Sequence, residues 1–199
     1  KHEADYNLEL VLKALGQYSE SAPPRRAPVL ELKVGIRRNL FEKFQVSPLH
    51  YVVVHPGMAG SALNWPQSKY NQLIEKLITK TTVVITGTPS DSAYLNEIKP
   101  RWEFHPKVRY LQNQLSMDDL LVVLNSAGVI LAPSTGVAHL AASLGRPVVA
   151  LFSPISTHRM QRWSPRGEQV LAIDPTTEHP DIHCPQLTKC LGTQCPHFE

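Results

Sequence analysis

The sequence predicts an α/β fold, a doubly wound parallel sheet, and three observations lead there. Apolar, β-branched runs of strand length recur at residues 51–55, 82–86, 108–111, 128–131, 147–152 and 169–173, with helical patterns or polar loops between them. Several of these runs pass through a short polar turn into a helix start. Finally, the three glycine-bearing turns, at 57–61, 87–91 and 134–136, all fall at the carboxyl ends of strands. Open parallel sheets hold their ligands along that edge, so the three turns together define a candidate binding rim.

The chain opens on Tyr6, Leu8, Leu10, Val11, Leu12 and Leu15, an amphipathic helix ending near Gly16, followed by the linker-like stretch 19–26. Residues 1–30 are therefore assigned to an interdomain helix and linker, residues 31–175 to one Rossmann-like ligand-binding domain, and residues 176–199 to a cysteine-containing tail. A second helix is expected over 35–44, leading into the first strand. The loop 55–66 then feeds a helix over 66–78, capped by Asn64 or Trp65. In that helix Tyr70, Leu73, Ile74, Leu77 and Ile78 repeat as one buried stripe. Past the second strand, Asp91 opens a helical turn. Its carboxylate fits either a ribose hydroxyl or the positive end of the helix dipole.

Ser116 with Asp118 and Asp119 starts a further helix as a capping-box variant, with Leu120, Leu121, Val123 and Leu124 on its inner face. The organising stretch follows. Residues 128–131 form a strand that Pro133-Ser134-Thr135-Gly136 breaks, and a short helix carrying Leu140, Ala141 and Leu144 on one face ends at Gly145. Such a turn aims free backbone N–H groups outward at a helix N-terminus, where anions bind. Gly136 leaves the backbone open to close approach, and His139 leans back over the same mouth. Ser134, Thr135, Gly136 and His139 thus form a candidate diphosphate seat, with an ordinary capped helix as the plainer reading. Residues 153–167 are polar and basic, with Arg159, Arg162 and Arg166 around Trp163, and read as a solvated loop able to lend a cation to the rim.

Composition narrows the function. With 20 basic and 17 acidic residues the net charge is only +3 and no basic stripe appears, which argues against nucleic acid as a partner. The 42% hydrophobic content supports a real core, yet no apolar run approaches the ~20 residues needed to cross a bilayer. No secretory signal is seen, and the chain, which starts at Lys1, reads as a fragment of something longer. Cys184, Cys190 and Cys195 fall beside His183 and His197, but spacings of six and five lack a C-x-x-C signature. Free thiols are the default reading, with a zinc cluster or a disulfide as alternatives. No G-x-G-x-x-G follows any strand, which counts against hydride transfer with a dinucleotide.

Residues 134–142, the loop from His55-Pro56-Gly57 to Asn64-Trp65-Pro66, and Trp163-Ser164-Pro165-Arg166-Gly167 resemble the C-terminal half of glycosyltransferase family 9, the ADP-heptose:lipopolysaccharide heptosyltransferases. The resemblance implies the nucleotide-sugar-binding C-terminal domain of a two-domain GT-B enzyme. It implies that Ser134, Thr135, Gly136 and His139 meet the donor diphosphate, that Asp91 lies near the nucleoside and Leu115 near the base, and that Gly60 and Ser61 reach the phosphates. Two positions depart from the family pattern: Leu63 stands where a lysine is usual, and Ser134 where an aspartate is common, with Arg159 as a candidate replacement charge. The implied chemistry is inverting transfer from an ADP-sugar to a lipopolysaccharide core or related glycolipid, with no cofactor or metal required. The catalytic base would come from a missing N-terminal domain, and the protein would work in the cytoplasm or peripherally at the inner membrane. A nucleotide-sugar epimerase and a non-catalytic nucleotide-sugar binding module are the competing readings.

Overall fold

A computed structural model of the chain describes residues 1–19, 27–32, 38–58, 64–155 and 158–175. Six parallel strands form one sheet: β1 (Tyr51–Val54), β2 (Thr82–Ile85), β3 (Val108–Tyr110), β4 (Val129–Pro133), β5 (Val148–Leu151) and β6 (Val170–Ile173). Their order is β3-β2-β1-β4-β5-β6, the doubly wound arrangement expected from the sequence. All five pairings are parallel. β1 meets β2 with Val54 opposite Ile85, and meets β4 with Val54 opposite Leu131. The order reverses between β1 and β4, so the chain leaves these two neighbours in opposite directions and opens a crevice at their carboxyl ends.

Both faces of the sheet are covered, which is why its strands read as nearly continuous apolar runs. Because successive side chains alternate, Val53, Val84, Ile130, Ala132, Val148 and Ala150 enter one core cluster. Helices α5 (Met117–Asn125) and α6 (Gly136–Ser143) cover them with Val122, Val123, Leu124, Ala138 and Ala141. On the other face Val54, Val83, Ile85 and Val108 meet Tyr70 and Ile74 of α3 (Gln67–Leu77), Ile98, and Trp102 of α4 (Lys99–Trp102). Trp102 donates its indole N–H to Asn71 Oδ1 at 2.7 Å, satisfying a polar pair inside that layer.

Local signals mostly act as read, with three exceptions. Gly145 ends α6 at φ +69°, with its N–H on Ala142 O and that of Arg146 on Ala141 O, a Schellman closure. Pro133, expected to break the strand, is its last residue and pairs with Leu151. Leu131 O accepts from His55 N and Ser134 N donates to Leu151 O, so alternate residues face opposite neighbours and the Pro133 nitrogen faces the β1 side, where that strand has ended. Pro66, rather than Asn64 or Trp65, is the N-cap of α3, without a side-chain bond. Thr135 caps α6 by its backbone alone, because its hydroxyl does not accept from the first turn. Ser116, in contrast, accepts from Asp119 N at 3.1 Å as its motif implies.

Helix α1 (Glu3–Ala14) attaches by its charged side. Glu3 pairs with Arg162 at 2.6 Å, Asp5 with Arg166 at 2.5 Å, and His2 Nε2 lies 2.8 Å from Ser164 O. The expected solvated loop therefore contains a short helix, α7 (Met160–Trp163), and is the mooring for α1. The apolar residues Tyr6, Leu10, Val11 and Leu15 are each at least half exposed. Helix α2 (Arg38–Phe44) precedes β1 and packs Leu40 and Phe44 into the first cluster. The tail with Cys184, Cys190 and Cys195 lies outside the described residues.

Candidate functional site

A cavity of about 350 Å³ opens at the crevice between β1 and β4. The ends of three strands and the starts of two helices build it. His55 follows β1, with Gly57 and Met58 behind it. Thr86, Gly87, Thr88 and Asp91 come from the end of β2, and Leu115, Met117 and Leu120 from the start of α5. Thr135, Gly136, Val137 and Leu140 complete the wall from α6. Its chemistry is divided: the α5 and α6 side chains make an apolar slot, whereas the strand ends supply the polar groups.

At the head of α6, Ala138 N and His139 N both turn back to Thr135 O, at 3.1 and 3.4 Å. The amides of Gly136 and Val137 have no described acceptor, and the Thr135 hydroxyl is buried without a hydrogen-bond partner. A Cβ built on Gly136 would meet nothing within 4 Å, so the space beside it is open to a ligand. Free main-chain donors at a helix N-terminus carry partial positive charge and suit an anion.

Across the crevice, Asp91 is 2% exposed and accepts from Thr88 N at 2.8 Å and from Thr88 Oγ1 at 2.7 Å, a capping box that closes the 3₁₀ turn Pro89–Tyr94. Its carboxyl group also lies flat against Gly57, where an added Cβ would come within 2.2 Å of Asp91 Cγ. The acid thus joins the loops after β1 and β2 while lining the cavity. His55 is 6% exposed, and its Nδ1 lies 2.9 Å from Thr86 Oγ1. Burial pulls its pKa down to about 4, against a smaller opposing pull from the Asp91 charge, so the ring is neutral at ordinary pH.

The structure brings Asp91, Leu115, Thr135 and Gly136 to one cavity. Ser134 precedes the cap, and His139 sits half-buried on the flank of α6, outside the cavity lining, its pKa lowered first by burial and then by the nearby His2. Gly60, Ser61 and Leu63 lie outside the described residues, so the phosphate contacts expected of that loop do too. Arg159 is the N-cap of α7, its Nε buried without a partner, and is not in the cavity wall. Sequence reasoning missed His55, although a histidine set just before Pro-Gly at the carboxyl end of a strand is the signal that would have found it. Among the described residues no helix is long and apolar enough to cross a membrane, and no three His, Cys, Asp or Glu side chains converge as a metal site.

Comparison with known proteins bears on the same architecture. A sequence profile of glycosyltransferase family 9 (heptosyltransferase) matches residues 4–191. Lipopolysaccharide heptosyltransferase 2 of Escherichia coli is 28% identical over 134 residues, covering 65% of this chain and 38% of that protein. The solved structure of E. coli ADP-heptose lps heptosyltransferase II superposes with a TM-score of 0.65 at 26% identity, covering 76% of this chain and 46% of that one. A family 9 glycosyl transferase from Veillonella parvula gives a TM-score of 0.70 at 16% identity, over 93% of this chain and 54% of that one, a likeness of fold. The chain spans about half or less of the length of the curated relatives it matches. With the profile extending over nearly the whole chain and the crevice where a doubly wound sheet would hold a nucleotide, the chain belongs to glycosyltransferase family 9, the heptosyltransferase family.

Proposed function

We propose that this chain is the donor-binding half of an inverting glycosyltransferase that takes a sugar, heptose from ADP-heptose, to a lipopolysaccharide core or related glycolipid. The observation that carries the reading is the cavity at the strand-order reversal, with unpaired α6 amides on one wall and an apolar slot on another. The slot formed by Leu115, Met117, Leu120, Val137 and Leu140 suits the flat, largely apolar faces of a nucleobase. The diphosphate would lie against the N–H groups of Gly136 and Val137, with the Thr135 hydroxyl beside them and His139 on the flank.

In the reaction an acceptor hydroxyl, deprotonated by a base on a preceding domain, attacks the anomeric carbon. The bond from that carbon to the phosphate oxygen breaks, and the nucleoside diphosphate departs with the electron pair. Negative charge grows on the oxygen held against the helix N-terminus, so preorganised main-chain dipoles lower the barrier without a metal being required of them. With its acceptor in a glycolipid, the whole protein would act in the cytoplasm, at the inner face of the membrane.

Calorimetric titration of the chain with ADP, UDP and GDP tests the reading. ADP is expected to bind best, and Gly136→Val to weaken it on the order of tenfold or more by filling the open space beside the amides. Equal, unmeasurable binding of all three would overturn it. No lysine or arginine lines the described cavity, and this favours a second reading, a nucleotide-sugar binding module that does not turn over. Sugar transfer by a longer protein that includes the preceding domain would eliminate that alternative.

A further inference from the structure

His55 lines this cavity, and its surroundings in the fold decide which ring nitrogen carries the proton. The ring stands at the base of the crevice, where His55 N donates to Leu131 O at 2.9 Å and so carries the β1–β4 register one residue past the strand. Its polar partner is the hydroxyl of Thr86, itself 1% exposed. Among the described residues that hydroxyl has no other acceptor, and a buried O–H left undonated costs about 1–3 kcal/mol. Thr86 therefore donates to Nδ1, and the imidazole proton resides on Nε2. Nε2 has no protein partner among the described residues, and the residue lines the cavity.

The opposite wall supplies the rest. His55 lies across the sheet from Ala132, three residues before the cap of α6, at the ~4.8 Å spacing of neighbouring strands. The free amides of Gly136 and Val137 and the unpartnered Thr135 hydroxyl border the same space. Among the described lining residues there is no lysine or arginine, and the one carboxylate there, Asp91, is engaged by Thr88. We propose that His55 Nε2–H is a donor to the diphosphate of the bound nucleotide, so that this seat grips its anion with neutral hydrogen-bond donors. The inference rests on the nucleotide-binding reading above and adds to it a residue and a mode of recognition.

The test is calorimetry with ADP and, separately, inorganic pyrophosphate, on the wild-type chain, His55→Leu, His55→Gln and Thr86→Val, each checked for a cooperative thermal transition. His55→Leu should weaken both probes on the order of tenfold, the loss expected of one hydrogen bond to a charged group, and His55→Gln, which keeps a neutral N–H, should recover most of it. Thr86→Val frees the tautomer and should weaken binding less than His55→Leu does. In the wild type, nitrogen chemical shifts of the ring should report the proton on Nε2, with that signal moving on addition of pyrophosphate. This readout is independent of how the variants fold. Binding by wild type with an Nδ1–H tautomer, or with a ring signal that pyrophosphate leaves unmoved, overturns the role of His55 alone. Failure of the wild type to bind either probe overturns the nucleotide reading and this inference with it.

Discussion

Mild acid should destabilise this protein through His55, and the size of the effect follows from its burial. The unfolded ring titrates near its ordinary value of 6.5, while in the fold burial holds it at about 4. Between those values the unfolded chain binds a proton that the folded chain refuses, so stability falls as pH falls. From pH 7 to pH 5 the loss is about 2 kcal/mol, approaching about 3 kcal/mol below pH 4, at 1.36 kcal/mol per pKa unit. The neighbouring Asp91 charge, which favours the protonated ring, is already included in that balance. His139, also lowered by burial, adds a loss of the same sign. Urea denaturation at pH 7, 6 and 5, run on wild type and on His55→Gln, isolates the His55 part, since glutamine does not titrate. The stability difference between the two should shrink by about 2 kcal/mol from pH 7 to pH 5. Parallel curves would refute the claim that the ring is buried and neutral.

Three further outcomes are expected. Gly57→Ala places a Cβ within 2.2 Å of the Asp91 carboxyl carbon and should cost about 1–3 kcal/mol in thermal or urea unfolding, as overpacking does; an unchanged midpoint would show that the two loops yield freely. Trp102→Phe removes the 2.7 Å bond to Asn71 Oδ1 and leaves that buried acceptor unpaired, for a loss of about 1–3 kcal/mol with no change in ADP affinity. Titration of ADP in the presence and absence of EDTA should give the same dissociation constant, because main-chain amides are assigned the anion; a tenfold weakening on chelation would assign the anion to a metal instead.

What the sequence made legible was the repeating plan. Strands buried on both faces must be apolar throughout, so 82–86 and 147–152 announce themselves, and the glycine-bearing turns mark where three of the strands give way to a helix. Gly145 was readable for a backbone reason, since its φ of +69° suits a residue without a side chain. Pro133 was not, because whether a strand tolerates proline depends on which neighbour its nitrogen faces, a property of register. The surroundings of His55 were hidden for the same kind of reason: its place before Pro-Gly at a strand end is local, but nothing local reveals that Thr86, thirty-one residues away, will hold one ring nitrogen. Leu115, assigned by family resemblance, does line the cavity, whereas His139, assigned both by spacing and by resemblance, stands to one side of it. An amphipathic α1 was visible too, but that its charged side would be the moored one depends on Arg162 and Arg166, about 160 residues later in the chain.

The reversal of strand order also governs how the molecule comes together. β1 gains β2 as a neighbour within one connection, but its other edge stays bare until β4 arrives, after β2, β3 and four intervening helical segments. Since one lip of the cleft belongs to the early half and the other to the late half, the cavity does not form until that seam shuts. A nucleotide lodged there would act as a clasp across it, and amide exchange along β1 and β4 should slow in the bound protein more than exchange at the outer strands.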